Sequence, residues 1–263
     1  MKKSVSMEDK LIPISFFTLL LIIWEVFARF EVVPIYILPG PIRIIKTLFV
    51  NLPVLKEHII VTSLEALAGF TISVIFAIAI CLIMDSISIV KKAVYPLIII
   101  SQTIPIVTIA PLFAIWFGFG YLPKVIIVVL VCFFPITISL LEGLASVDED
   151  LLNLIKSMGA NKFQTYKMVK LPAAMPSLFS GLKIAGTYSI MGATIGEWVG
   201  GKQGLGVYML RVKHSFATDK VFATIIIITL LSILLLKIIG VIERKSMPWI
   251  YKQEIENTED YKS

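Results

Sequence analysis

Charged residues are scarce in this chain. Asp, Glu, Lys and Arg make up 16% of its 263 residues, whereas about a quarter of a soluble domain is charged. Hydrophobic residues make up 57%, and the mean hydropathy is +0.92. A charge at the centre of a membrane helix costs about 3 kcal/mol, so long uncharged runs are what insertion into a bilayer requires. The composition therefore excludes an ordinary soluble domain and predicts an all-α, multi-pass membrane protein.

Side chains that carry chemistry are also rare. There are two histidines, His58 and His214, and two cysteines, Cys81 and Cys132, which lie inside apolar runs. Those runs contain no paired acidic residues and no metal-spaced cluster. The sequence therefore predicts no catalytic residue and no metal site, which argues against an intramembrane enzyme. It also lacks the G-x4-G-K-[ST] loop that binds nucleotide phosphates, so we expect that it does not itself hydrolyse ATP.

Basic residues outnumber acidic ones, which gives a formal net charge of +6. This excess could indicate a nucleic acid partner, but in a membrane protein it reflects Lys and Arg retained in cytoplasmic loops. We therefore predict a lipid bilayer as the surroundings and no nucleic acid partner. With both termini in the cytoplasm, fifteen basic residues fall on the cytoplasmic side and nine outside, which favours this orientation.

Six apolar segments are long enough to cross a bilayer, since a helix needs about 20 residues to span about 30 Å of hydrocarbon. They lie at about 11–29, 60–84, 94–117, 124–141, 177–198 and 221–242. The third contains Pro96, Pro105 and Pro111, and such breaks require protein or water to satisfy the freed carbonyls, so this helix should face the protein interior. We expect one membrane domain over 1–263.

A separate short helix is predicted on the outer surface before the second span. It would begin at Pro41, and its apolar residues recur at helical spacing. These are Ile44, Ile45, Leu48, Phe49 and Leu52.

The loop over 143–176, between the fourth and fifth spans, is too polar to insert. Asp148 is suited to start a helix, and Gly159 is suited to end it. Asn161 can cap a second short helix, which Pro172 would end. The apolar residues predicted to share a face in the first helix are Leu151, Leu152, Ile155 and Met158, and those in the second are Phe163, Tyr166 and Val169. The loop is either a helical hairpin packed on its own bundle or a surface that docks a partner.

The end of this loop resembles a known signature. Gly159, nine residues, Val169, one residue and then Leu171-Pro172 are similar to the G-x9-I-x-L-P half of the EAA motif of ABC-importer permeases. Segments IPIVTIAPLFAIWFGFG (104–120), FFPITISLLEGLASVD (133–148) and LPGP (38–41) resemble the nitrate, sulfonate, taurine and thiamine-precursor branch of that family. The similarity runs from about residue 38 to 243.

Two positions depart from the family pattern. Asn153, Leu154 and Ile155 occupy the Glu-Ala-Ala triplet, so the acidic residue that names the motif is missing. Glu149 and Asp150, one turn earlier, are candidates to replace it. Glu65 stands where this branch commonly carries a basic residue.

The resemblance implies a type I ABC importer permease fold with about six transmembrane helices, in the inner or cytoplasmic membrane. It implies a second permease copy in a homodimer, a cytoplasmic ABC ATPase that accepts the loop, and an extracellular or periplasmic substrate-binding protein. ATP and Mg would be used by the ATPase, with no cofactor bound by this chain. The residues expected to dock the ATPase are Glu149, Asp150, Leu152, Ile155, Met158, Gly159, Ala160, Phe163, Leu171 and Pro172. The substrate would be a sulfonate, nitrate, taurine or thiamine-precursor pyrimidine, with the sequence slightly closer to the last type.

Polar residues at membrane depth are candidates for the translocation pathway. We predict this role for Gln102, Thr103, Pro105 and Glu197, with buried structural pairing as the alternative. The glycines of the fifth span could form either a mobile dimer interface or an intramolecular packing face. The rival function is a self-sufficient secondary transporter or channel. Six spans are few for such a carrier, and no repeated halves are visible.

Overall fold

The structure, a computed structural model, describes residues 7–250, with side chains from Leu11. Within this range the chain is helical and has no strand, which confirms the all-α fold class. The helices are α1 (Met7–Arg29), α2 (Pro41–Ser86), α3 (Ser88–Ser101), α4 (Ile106–Phe117), α5 (Tyr121–Ala145), α6 (Glu149–Ser157), α7 (Lys162–Thr165), α8 (Leu171–Trp198), α9 (Leu205–His214) and α10 (Thr218–Ser246), with a π-helical turn at Tyr166–Lys170.

By length and composition, α1, α2, α5 and α10 are long and apolar enough to cross a membrane. The pair α3 and α4 adds a fifth span if it counts as one, although the two helices are bent by 102° at the break between them. Pro105 lies in this break, whereas Pro96 and Pro111 lie inside helices. The 28 residues of α8 also suffice for a crossing, but α8 is rich in small and polar residues and does not reach the same hydropathy.

The prediction of a separate surface helix before the second span is wrong. Residues from Pro41 to Ser86 form one continuous helix of 46 residues, which passes through Pro53. The carbonyl of Phe49 loses its donor at this proline, but Phe49 is exposed and water can replace the bond. At 1.5 Å per residue α2 is about 69 Å long, roughly twice the hydrocarbon thickness, so it projects well beyond the bilayer.

The core is built around the pair α5 and α8, with α2 and α10 packed on it. Gly181 allows this contact, because a Cβ there would lie 2.8 Å from the Pro135 carbonyl oxygen of α5. Gly192 and Gly196 also face α5, and Gly186 faces Ile239 of α10. The glycines of the fifth span therefore serve packing within the chain, one of the two predicted alternatives. Both cysteines are buried and unpaired.

The loop over 143–176 has the predicted caps. The Asp148 side chain accepts a 2.8 Å hydrogen bond from the Asp150 N–H, and Asn161 forms a capping box with Gln164. Gly159 has a φ of +86°, the left-handed conformation expected after a helix.

Pro172 does not end the second helix of the loop as predicted. The chain stays helical from α7 through the π-turn into α8, and the Leu171 N–H donates to the Tyr166 carbonyl five residues earlier. The wider turn accommodates the proline ring and its missing donor. The second loop helix is therefore the extension of α8.

Candidate functional site

Most exposed apolar residues of the loop lie on α6 and around the bend at Gly159, and Met168 of the π-turn is exposed as well. Met158 and Phe163 are 78% and 73% exposed. Together with Leu151 and Leu154 they form what we call the docking surface. Sequence reasoning missed Leu154, although it lies three residues after Leu151 and four before Met158, the spacing of a single helix face.

Apart from Gly159, which is exposed at the bend, the remaining predicted docking residues fall into two groups. Glu149 and Asp150 are exposed in the first turn of α6, where they suit the helix dipole and can meet a cation. The half-buried residues lie behind the exposed ones; they are Leu152, Ile155, Ala160, Leu171 and Pro172. The prediction that Phe163, Tyr166 and Val169 share one face of the second loop helix is wrong, since Phe163 is exposed while Val169 is buried.

A polar clamp joins the loop to α2. Lys170 Nζ lies 2.7 Å from Asp85 Oδ2, and the Tyr166 hydroxyl donates to the same oxygen. The Lys170 ammonium also lies 5.1 Å from the centre of the Tyr166 ring. Burial, followed by the adjacent Asp85 carboxylate, raises the pKa of Tyr166 to about 12, so the phenol stays a neutral donor. We call these three residues the Asp85 clamp.

An open groove of about 760 Å³ separates α6 from the end of α2. Its walls include Leu82, Asp85, Leu152, Lys156, Phe163 and Tyr166. The clamp lies on this groove and spans from α2 to the π-turn. Neither feature was predicted, because 81 positions separate Asp85 from Tyr166 and no local pattern joins them.

Three of the predicted pathway residues lie together at the bend between α3 and α4. Gln102 and Thr103 are exposed in the turn, and Pro105 is the residue before α4. The Thr103 hydroxyl donates to the Ile100 carbonyl at 2.7 Å. The prediction that this segment faces the interior is wrong for the single chain, where few of its residues are buried.

Glu197 lies elsewhere, at the end of the bundle opposite the docking surface. It is buried, and its carboxylate accepts hydrogen bonds from the Thr62 hydroxyl at 2.6 Å and the Gly206 N–H at 2.5 Å. Thr62 in turn accepts from the Leu205 N–H at 2.8 Å. In the single chain Glu197 thus holds the start of α9 against α2 and α8, and its place in the pathway stays a prediction.

Several helices long and apolar enough to cross a membrane, with a short capped projection continuous with α8, suit a transport permease. Residues 69–247 match the family of binding-protein-dependent transport system inner membrane components, and the chain belongs to this family. It is thus a multi-pass permease subunit of an ABC importer, which works with an ATPase and a substrate-binding protein.

Curated relatives cover nearly the whole chain. The formylaminopyrimidine transport permease of Halalkalibacterium halodurans is 38% identical over 92% of this chain and 96% of its own length. The riboflavin transport system permease of Chloroflexus aurantiacus is 31% identical, over 88% and 87%. The taurine transport system permease of Escherichia coli is 27% identical, over 88% and 86%. These names agree with the branch that the sequence resembles.

Proposed function

We propose that this chain forms, with a second copy of itself, the translocation pathway of an ATP-driven importer for a formylaminopyrimidine-type thiamine precursor. The 38% identity to a formylaminopyrimidine permease over nearly both full lengths carries the substrate class. Riboflavin and taurine, named for more distant relatives, are the competing substrates. An external binding protein would deliver the substrate.

The docking surface is the proposed contact with the ATPase. Met158 and Phe163 are exposed far more than a self-contained apolar hairpin requires, which favours a partner. ATP and Mg would be used by that ATPase, with no cofactor bound by this chain. Because α7, the π-turn and α8 are one helix, closure of the ATPases would move α8 as a rigid body rather than being absorbed by a flexible linker.

The topology that we propose puts both termini in the cytoplasm. If the bent pair α3 and α4 counts as one crossing, the six crossings place α6, α7 and the Asp85 clamp on the cytoplasmic side. They place the start of α2, the start of α5 and α9 outside. This arrangement brings the docking surface to the ATPase and α9 to the binding protein.

The function is tested by reconstituting the chain with its ATPase and binding protein in liposomes. Formylaminopyrimidine should stimulate ATP hydrolysis and enter the vesicles, whereas taurine and riboflavin should not. Stimulation by taurine or riboflavin alone would reassign the substrate. Uptake that persists when the ATPase is omitted would instead favour a self-sufficient carrier.

A further inference from the structure

Three ionisable side chains are almost completely buried at the end of the bundle opposite the docking surface. Glu65 of α2 is 0% exposed, Lys124 of α5 is 6% and Glu197 of α8 is 1%. Lys124 Nζ lies 2.7 Å from Glu65 Oε1. Thr62, three residues before Glu65 on the same side of α2, donates to Glu197 Oε1, so the two carboxyl groups lie near each other. With every group ionised, this cluster would hold one uncompensated negative charge away from water. Such a charge is costly, and so is the proximity of two carboxylates.

The hydrogen bonds of the cluster identify where a donor is missing. Both oxygens of Glu197 already accept, from Thr62 and from the Gly206 N–H. Glu65 Oε1 accepts from Lys124, but Glu65 Oε2, though buried, has no hydrogen-bond partner among the described residues. A buried polar atom without a partner costs its full desolvation energy. The cluster therefore lacks one hydrogen, at Glu65 Oε2.

We propose that Glu65 Oε2 is a proton-binding site and that its O–H donates to the Glu197 carboxylate. Lys124 then donates to the remaining Glu65 oxygen, and the single positive and negative charges of the cluster balance. The N-terminus of α9, which directs the Gly206 N–H at Glu197, favours the ionised form at that residue rather than at Glu65. The bound proton thereby joins α2 and α5 to α8 and α9.

The other titratable or charged groups around the cluster do not supply this hydrogen. His58 of α2 accepts from the Gly204 N–H through Nδ1, and its ring packs on Tyr208 of α9 at 5.4 Å. The Tyr121 ring lies 5.6 Å from the Lys124 ammonium. Lys202 and Arg211 line the open cavity beside His58, together with Glu57. His58 is itself titratable, so it needs a control.

Two glutamine variants of the full chain, purified in detergent, separate the possible positions of the proton. In Glu65→Gln the amide oxygen can accept from Lys124 while the amide N–H donates to Glu197, which reproduces the protonated acid. In Glu197→Gln the amide nitrogen replaces one of the two accepting oxygens, so its N–H meets either the Thr62 hydroxyl or the Gly206 N–H, which are both donors. We therefore expect the Tm of Glu65→Gln to equal or exceed that of the parent at neutral pH, and the Tm of Glu197→Gln to fall.

The pH dependence follows from the same proton. Unfolded glutamates are ionised above about pH 4.3, so a folded state that retains the proton loses stability as the pH rises. The Tm of the parent should fall as the pH rises from about 5 towards alkaline values, and that of Glu65→Gln should fall less. The His58→Gln control should keep the parental slope.

Infrared spectroscopy of the parent provides a measurement that needs no variant to fold. A carbonyl stretch from a protonated carboxyl group should be present at neutral pH, disappear at alkaline pH, and be absent from Glu65→Gln. The proposal is overturned if the parent shows no such band at neutral pH, or if Glu65→Gln keeps the band while Glu197→Gln loses it. A Tm loss in Glu65→Gln as large as that in Glu197→Gln would also overturn it.

Discussion

Gly159 sets the bend of the docking surface through its backbone alone. A Cβ at this position would meet nothing within 4 Å, but φ is +86°, where residues other than glycine are strained by about 1–3 kcal/mol. We therefore expect Gly159→Val to leave the chain inserted in the membrane and to reduce its co-purification with the ATPase several-fold. Gly159→Pro should abolish co-purification, because proline cannot adopt a positive φ.

Gly240→Ala is the matched control for this substitution. Its Cβ would also meet nothing within 4 Å, and Gly240 lies inside α10 with an ordinary helical backbone, where alanine is favoured. Co-purification of this variant should equal that of the parent. Normal ATPase recovery and transport with Gly159→Pro would contradict docking through this loop.

How far single residues could be predicted depended on how local their partners are. Asp148, Gly159 and Asn161 were predictable because a cap contacts the backbone two or three positions away. The pairing of Glu65 with Lys124 spans 59 positions, so no sequence pattern indicates it. Glu197 stood out as an acidic residue in an apolar run, but the three elements that surround it could not be inferred.

The helices likewise divide into features that the local sequence predicts and features that depend on distant contacts. Apolar run length predicted helices that the structure has at all six places, because bilayer thickness constrains length, but the third predicted span is two helices, α3 and α4, bent by 102°. It missed the continuity of α2 through Pro53 and of α7 into α8, since prolines usually interrupt helices. A proline can end a helix, or the helix can continue because water bonds to the freed carbonyl or because a π-turn makes room for the ring. Which of these occurs depends on packing that the sequence does not display.

Because the Asp85 clamp joins the loop to α2, we expect a displacement of the loop to move α2 as well as α8. Lys170 is largely buried, so Asp85→Asn removes the charge that compensates it, at a cost of about 1–3 kcal/mol. Tyr166→Phe removes one donor and leaves the ion pair. We expect both variants to retain ATPase binding but to transport less substrate per ATP hydrolysed, with Asp85→Asn the more severe. The ratio is measured in proteoliposomes.

Two comparisons make this test specific. Ser157→Ala removes a hydroxyl that donates only to its own helix, at Asn153, and should leave the ratio unchanged. The raised pKa of Tyr166 means that its contribution is complete below about pH 10 and is lost only as the pH approaches 12. The effect of Tyr166→Phe should therefore be the same at pH 6 and pH 8. Full coupling in Asp85→Asn would show that α8 alone carries the motion.

At the scale of the whole molecule, apolar side chains are exposed on several helices, and the surface of α1 differs in its backbone from the surface of α3 and α4. Ser15 and Thr18 of α1 donate to carbonyls of their own unbroken helix, so this surface suits lipid. The surface of α3 and α4 is interrupted at Gln102 to Pro105, where the helical hydrogen bonds stop. An interrupted backbone is tolerated at membrane depth only against protein or a water-filled cavity. The bend should therefore face the second copy across the pathway.

Cysteine cross-linking in intact membranes tests this arrangement. The native cysteines are both 0% exposed, so introduced ones will dominate the reaction. Thr103→Cys should yield a covalent dimer with a short bifunctional reagent, and substrate with ATP should change the yield as the copies rock. Phe17→Cys, also at an exposed position but on α1, should remain monomeric. If Phe17→Cys cross-links and Thr103→Cys does not, α1 rather than the bend forms the dimer interface, and the pathway residues must be sought on another face.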